Sequence, residues 1–527
     1  MFHVKRCMWT ALLGLLLAAG SAAAQEVVRE APLGPGEVRL SAPGFEVQGR
    51  VLGFDGRFVR IDAPEGELTL DLGSMTCGGA CPDQEEFVPE LNLSGDADLG
   101  RLLLPALIEG FAAAQGWAAE RGGEGDRVTY VLREDGGEVL RLGLRLTTTE
   151  DGIADLLASE ADLAVLARAP RPAEETMLAD GGLGEGRELR MRLLARGALV
   201  AATGPGQRVG RITLEALGAV FAGEITSWAA LGGEDLPIRV HLGPEDGAVA
   251  QAFEGEVLEA TGRELSPRVI RHGSDAEAAE AVAADPQALG VLPFEGFGGA
   301  QPLALVGRCG LPWVPRATAV RAGDYPLTVP LALLQPMRRL APTAQAFVDF
   351  LATPEAQLVL RRAGVVGTEA APIPWAEQGE RLAAAIRASG PEVPLRELQR
   401  LVRVLGPFTR LSTTFRFEGG TRLDPVSHGL VLRLAHELAE GRHAGRTLIL
   451  AGFSDGRGPA DENRALSLRR AEAVEAALLD ALGGSLPPRV RLRVHAFGEA
   501  LPMGCDDARE GPWGAEVNRR VELWVSP

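Results

Sequence analysis

Near the end of the 527-residue chain, a carboxylate and a guanidinium fall on two elements that the sequence predicts to be neighbours. Leu448-Ile449-Leu450 is a short continuous apolar run, the pattern of a buried strand. Gly452-Phe453-Ser454-Asp455 follows it, and Gly456, Gly458 and Pro459 break the chain direction. After Asn463, apolar residues recur at Ala471, Val474, Leu478 and Leu482, which is helical spacing, and Gly483-Gly484 ends the helix. Asp455 therefore sits at the carboxyl end of a strand, and Arg470 sits on the helix packed beside it. The chemistry open to such a pair is charge recognition. The plain alternative is a surface ion pair, worth under about 1 kcal/mol.

A second group of candidates lies earlier. Ser94-Gly95-Asp96-Ala97-Asp98 occupies a predicted strand-to-helix junction, where Asp98 would serve as an ordinary N-cap. Arg168 is a possible anion contact or a solvated cation. Leu242-Gly243-Pro244-Glu245-Asp246-Gly247-Ala248-Val249 forms a further loop. Catalysis has little support. His241, His272, His428, His436 and His443 make no metal or triad spacing, and His495 lies on a predicted strand. There is no Walker loop and no dinucleotide fingerprint, so neither a cofactor nor a metal is expected.

These residues need elements to hold them. Met1 to Ala24 reads as a secretion signal: Lys5 and Arg6, an apolar run from Ala11 to Ala19, and small residues before Gln25. That run is too short to span a membrane. No Cys stands at the cleavage point, so no lipid anchor is expected, and Cys7 leaves with the signal. A net charge of −18 argues against nucleic acid as a partner. Within 25–84, alternating Phe45, Val47, Gly49 and Val51, the Asp55-Gly56 turn, and Leu68, Leu70 and Leu72 predict a small β module of three or four strands. Cys77 and Cys81 flank Gly78-Gly79-Ala80 and are expected to form a disulfide, with a metal site as the alternative. Cys309 and Cys505 remain open.

From 87 to 371, strands and helices alternate. Leu99 to Ala114 places Leu103, Leu107 and Phe111 on one helical face, with Pro105 inside the span. Phe221-Ala222-Gly223-Glu224-Ile225-Thr226-Ser227-Trp228 and Phe347 to Gln357 carry the blocks F-x-G-x-I-T-x-W and F-x-x-F-L-x-x-P-E-x-Q. With these blocks the segment resembles the PstS-like phosphate-binding proteins of ABC importers. The resemblance implies two α/β lobes joined by a hinge, with a ligand in the cleft between them. It places Ser94, Gly95, Asp96, Ala97, Arg168, Asp246 and Gly247 at that cleft. The family's Arg followed by Ser-Gly-Thr is missing from the second lobe, and carboxylates stand where hydroxyls are usual. Phosphate affinity should therefore be weak, or the ligand another solute. Residues 372–394 read as a linker or spacer helix.

The last segment, 395–527, resembles the OmpA-like peptidoglycan-binding family. It carries Gly452-Phe453-Ser454-Asp455, then Asn463 to Val474, then Asn518-Arg519-Arg520-Val521-Glu522, in the family's order. The resemblance implies that Asp455 and Arg470 hold the diaminopimelate of a wall stem peptide, with Asn463, Ser454 and Phe453 around them. A carboxylate can pair with its ammonium, and a guanidinium can grip its carboxylate through two parallel bonds. Glu462 stands where the family often has an aromatic residue.

The expected fold is thus multidomain: a small all-β N-terminal module, a two-lobed α/β periplasmic-binding-protein fold of type II, and a C-terminal α/β (βαβ) OmpA-like domain. The expected protein is a non-catalytic solute binder, of phosphate or another anion, tethered to peptidoglycan in the periplasm and associated with the outer membrane. The alternative is a structural protein that contacts other envelope proteins through a cleft without a small ligand.

Overall fold

The structure, a computed structural model, describes residues 33–83, 86–183, 189–307, 310–387, 389–504 and 513–527. The secretion signal, Cys7, Cys309 and Cys505 lie outside the described residues. The chain divides into two compact units, Met1–Glu85 and Glu86–Pro527.

The first unit is one antiparallel sheet of five strands: β1 (Glu37–Ala42), β2 (Phe45–Phe54), β3 (Phe58–Ala63), β4 (Gly66–Asp71) and β5 (Thr76–Gly79), ordered β4-β3-β2-β1-β5. The alternation works as expected from Val47 and Gly49, which are buried, while Phe45 is exposed at the strand's start. Val38, Leu40, Val59 and Ile61 complete one small core. Cys77 and Cys81 are joined, which fastens β5 to the loop that follows it.

The second unit starts with β6 (Glu90–Asp96), which runs directly into α1 (Ala97–Gln115). Leu103, Leu107 and Phe111 are all buried on one face of α1, and Pro105 is accommodated within it. Next come β7 (Ala118–Glu124), β8 (Arg127–Glu134), β9 (Gly137–Thr147), α2 (Thr149–Leu157), β10 (Leu163–Leu166), α3 (Pro172–Asp180) and β11 (Leu189–Thr203). In β11, Leu189 to Ala198 pairs with the strand Thr328–Pro336 of the first lobe. Leu199 to Thr203 pairs with Ala288–Pro293 of the second lobe. One long strand therefore crosses between the lobes. At that end of the sheet the second lobe's strands are ordered Ile270–Arg271, Arg239–Leu242, Ala288–Pro293, with the last beside β11.

The final part is a sheet built on Thr409–Gly419, Thr447–Phe453, Arg491–Ala496 and Arg520–Val525, covered by the helices Pro425–Ala439 and Ala460–Ala481. Residues 372–394 do contain a helix, Gly379–Arg387, but they do not act as a free linker. Pro372-Ile373 adds to the edge of this sheet. Trp375 packs on Trp524 at 5.1 Å, and Arg381 reaches Glu522 at 2.6 Å. The apolar and charged residues buried there explain the difference. Among the described residues, no helix is long and apolar enough to cross a membrane.

Candidate functional site

Two places collect candidate functional side chains at the carboxyl ends of strands. The first follows the strand Thr447–Phe453. That strand pairs parallel with Arg491–Ala496 and antiparallel with Arg520–Val525, so both its neighbours are strands and nearly every position is buried. Gly452 is required here: a Cβ would lie 2.0 Å from the Ser467 carbonyl oxygen. The bare glycine lets the helix Ala460–Ala481 settle on the strand and brings Arg470 toward Asp455.

Both charged groups are almost fully buried, at 2% exposure for Arg470 and 5% for Asp455. They are not simply spent on each other. Asp455 Oδ2 accepts a 2.8 Å bond from Arg519 Nε. Arg470 Nε donates to the Gly420 carbonyl at 2.8 Å, and its guanidinium lies 5.4 Å from the Phe417 ring centre. Arg470 Nη1 has no partner, and neither does Ser454 Oγ beside it in sequence from Asp455. Burial pushes the Arg470 pKa down to about 10, with Asp455 opposing the shift, so the group remains a cation at neutral pH. Buried polar atoms without partners are uncommon, because each costs about 1–3 kcal/mol.

Asn463 is placed as the sequence suggests, close by but occupied: its amide donates to Gly458 O at 3.3 Å and to Glu499 at 3.0 Å. Phe453 requires a correction. It is 1% exposed, packs against Phe497 at 5.7 Å, and lies under the Arg520 guanidinium at 4.3 Å. Its ring belongs to the core. Arg519 has no role assigned by the sequence pattern, although it stands in the Asn518–Glu522 block. Beneath the site, Glu522 is fully buried and accepts from Arg520 at 2.7 Å and Arg381 at 2.6 Å. These guanidiniums and Arg410 hold its carboxyl well below the usual carboxylate range against the opposing effect of burial.

The second place is the cleft between the lobes. Gly95 (φ +143°) lets β6 approach β10, since a Cβ would meet the Val165 carbonyl oxygen at 2.2 Å. Ala97 simply opens α1. The N-cap of that helix is Asp96, not Asp98; Asp96 Oδ1 accepts from Leu99 N at 2.9 Å. Ser94 also departs from expectation. Its hydroxyl donates to Asp155, which is paired with Arg145, so it turns away from the cleft. Arg168 is no free anion contact either. Both its terminal nitrogens donate to Glu174 at 2.7 Å, and its Nε donates across the cleft to Gln251 at 2.9 Å.

What faces the cleft is largely acidic. Asp246 lines an open pocket of about 590 Å³ with Glu245, Glu254, Gln251 and Arg171. Arg171, the one cation among these, carried no motif signal. Gly247 precedes the short helix Ala248–Phe253. Deeper in, Asp275 Oδ1 is buried without a partner. Burial first, then the charges of Asp98, Asp96 and Glu295, push the Asp275 pKa up to about 7. Burial likewise pushes Asp96 up to about 6. Nothing in the sequence distinguishes Asp275 from any acidic first-turn residue of a helix. Among the described residues, no group of three or more His, Cys, Asp or Glu side chains could hold a metal ion.

Residues 141–355 match the PBP superfamily domain, and residues 415–511 match the OmpA family. The chain is a fusion of a PBP-like domain with a C-terminal OmpA domain. The first match lies within the two-lobed part and the second within the part built on the last sheet. Among solved structures, an ABC-type phosphate transport receptor from Vibrio cholerae is similar at 18% identity, over 52% of this chain and 99% of that one, with a TM-score of 0.41. PstS from Borrelia burgdorferi is similar at 15% identity, over 53% and 98%, with a TM-score of 0.39. The peptidoglycan-associated lipoprotein from Burkholderia pseudomallei is similar at 26% identity, over 21% and 89%, with a TM-score of 0.18. A comparison with curated proteins gave no match.

Proposed function

We propose that this protein is an exported, non-catalytic binding protein that is held on peptidoglycan by its OmpA domain. Asp455 takes the ammonium of a diaminopimelate side chain, and Arg470 takes the carboxylate of the same group. The observation that carries this reading is the buried Arg470 Nη1 without a partner, next to the partly paired Asp455 and the unpaired Ser454 hydroxyl. A carboxylate docked there satisfies a donor that is otherwise left dry, and charged hydrogen bonds of that kind contribute about 1.5–3 kcal/mol each. Arg519 orients Asp455 from the other side. A protein held in this way resides in the periplasm, against the wall and beneath the outer membrane.

The PBP-like domain on this reading presents a solute cleft. An ordinary phosphate site is disfavoured, because the available hydroxyl of Ser94 and the guanidinium of Arg168 are committed to Asp155 and Glu174. Asp96 and Asp275, with pKa values raised to about 6 and about 7 chiefly by burial, meet an added anion as partly ionised carboxylates. Opposed carboxylates at about 4 Å repel by several kcal/mol at an effective dielectric near 20. A solute with a cationic group or many hydroxyls fits better. The same commitment of Ser94 and Arg168 favours a second reading, in which the cleft has no small ligand and the lobes contact other envelope proteins.

The test is co-sedimentation of the full chain with sacculi of the diaminopimelate type. The native protein is expected in the pellet and the Asp455→Ala, Arg470→Ala double variant in the supernatant. Equal sedimentation of the two would remove this site from the account.

A further inference from the structure

The two lobes exchange chain at β11, near Ala198, and again along Gly323 to Thr328. Tyr325 ties the crossings together by donating from its hydroxyl to the Leu199 carbonyl at 3.1 Å. In a two-lobed protein these are the segments that absorb rotation when a cleft opens and closes. The OmpA domain holds the crossing and the lobes on either side of it.

On the first lobe, Val426 of the helix Pro425–Ala439 packs into the cluster of Met191, Leu166 and Leu334. From the same helix Arg433 donates to Thr368. At the crossing, Arg410 forks onto Asp324, at 2.6 Å and 3.0 Å, and Arg416 donates to the Gly323 carbonyl. Arg410 is 1% exposed and Asp324 is 8% exposed. On the second lobe, Trp313 donates from its indole nitrogen to the Met503 carbonyl at 2.8 Å. Met503, Trp513 and Val517 join Trp313 and Leu305 in one continuous core.

We propose that the OmpA domain is a strut across both lobes and the crossing between them, so that the cleft is held at one aperture. Rotation about the crossing would draw Asp324 away from two guanidiniums in a site closed to water. A buried charge separated from its partner is strongly unfavourable. The apolar contacts at Trp313 and Val426 lie on opposite lobes, so a rotation that preserves one disrupts the other. The wall-binding end and the cleft therefore move as one body. Any partner that approaches the cleft meets one shape, whether or not a solute is present.

Distance measurement by pulsed electron resonance on the full chain tests this. Spin labels carried on genetically encoded residues replace the exposed Glu109 of the first lobe and Glu280 of the second. The native chain is expected to give one narrow distance distribution, unchanged by inorganic phosphate or free lysine. Two populations, or a shift of several Å on adding either probe, would overturn the proposal. The Arg416→Lys, Trp313→Phe double variant is expected to broaden the distribution clearly; a distribution as narrow as the native one would overturn it. Gln251→Ala removes the single bond from Arg168 across the cleft and is expected to leave the distribution narrow. Broadening there would assign the restraint to that bond instead of the strut. If the double variant loses its helical circular dichroism, Arg433→Met, which breaks the bond to Thr368, takes its place with the same two outcomes.

Discussion

The proposed wall site and the cleft are built alike and have been left in opposite states. In each, a strand ends at a close approach that only glycine permits, at Gly452 against Ser467 and at Gly95 against Val165. In each, a charged residue follows within three positions. At the wall site the donors are unspent: Arg470 Nη1 and Ser454 Oγ are buried with nothing to bond. At the cleft the donors are spent on the protein's own carboxylates, and the buried unpaired atom there is an acceptor, Asp275 Oδ1. Hydrogen-bonding capacity left open in a dry place marks a site for a ligand of the complementary kind. A shared fold does not supply that information.

The sharpest way to break the comparison is through the charges under the wall site. Glu522→Gln leaves Arg381, Arg410 and Arg520 facing a neutral amide, and should lower stability by about 3–5 kcal/mol in denaturant unfolding. The native state keeps Glu522 ionised to lower pH than the unfolded chain does. Its contribution is therefore complete above the ordinary carboxylate range and is lost as pH falls through and below it. A variant with native stability at neutral pH would show that the network does not support the site.

The cleft should behave in the opposite sense. The Asp275 pKa is raised from 3.8 to about 7. Its effect on stability is most favourable below the unfolded value and is lost as pH rises toward the folded one. Asp275→Asn should raise stability at pH 8 by about 1–2 kcal/mol after allowance for solvent screening, and should change little at pH 4. Thermal unfolding at the two pH values measures this. A variant less stable than the native protein at pH 8 would mean that Asp275 has a cationic partner. The smallest expected signal is phosphate itself. Titration calorimetry near neutral pH should show affinity far weaker than micromolar. A micromolar or tighter constant would return the cleft to the ordinary phosphate-binding class and erase the contrast.

Much of the fold around the proposed wall site was legible because its signals are local. The apolar run at Leu448–Leu450, the glycines and the helical spacing from Ala471 lie in one short stretch, and the structure builds them as that stretch implies. Phe453 was misplaced because its strand is covered on both faces, so no alternation shows which way a side chain turns. Ser94 was misplaced for a related reason: its partner Asp155 lies on α2, far along the chain. The strut was not legible at all. Arg410 and Asp324 are separated by 86 positions, and neither carries a motif. The segment 372–394 looked like a linker from its prolines and charges. Its role in the last sheet depends on Trp524 and Glu522, which lie at the far end of the chain.

The central claim is that Asp455 and Arg470 recognise the two charges at the free end of diaminopimelate. Calorimetric titration of the full chain with a stem peptide containing diaminopimelate, and with the same peptide containing lysine in its place, tests it most directly. Lysine keeps the ammonium and lacks the carboxylate that Arg470 would grip. The account predicts saturable binding of the first peptide and at least about tenfold weaker binding of the second, the loss of one charged hydrogen-bonded contact. Equal binding of both, or none of either, would contradict it.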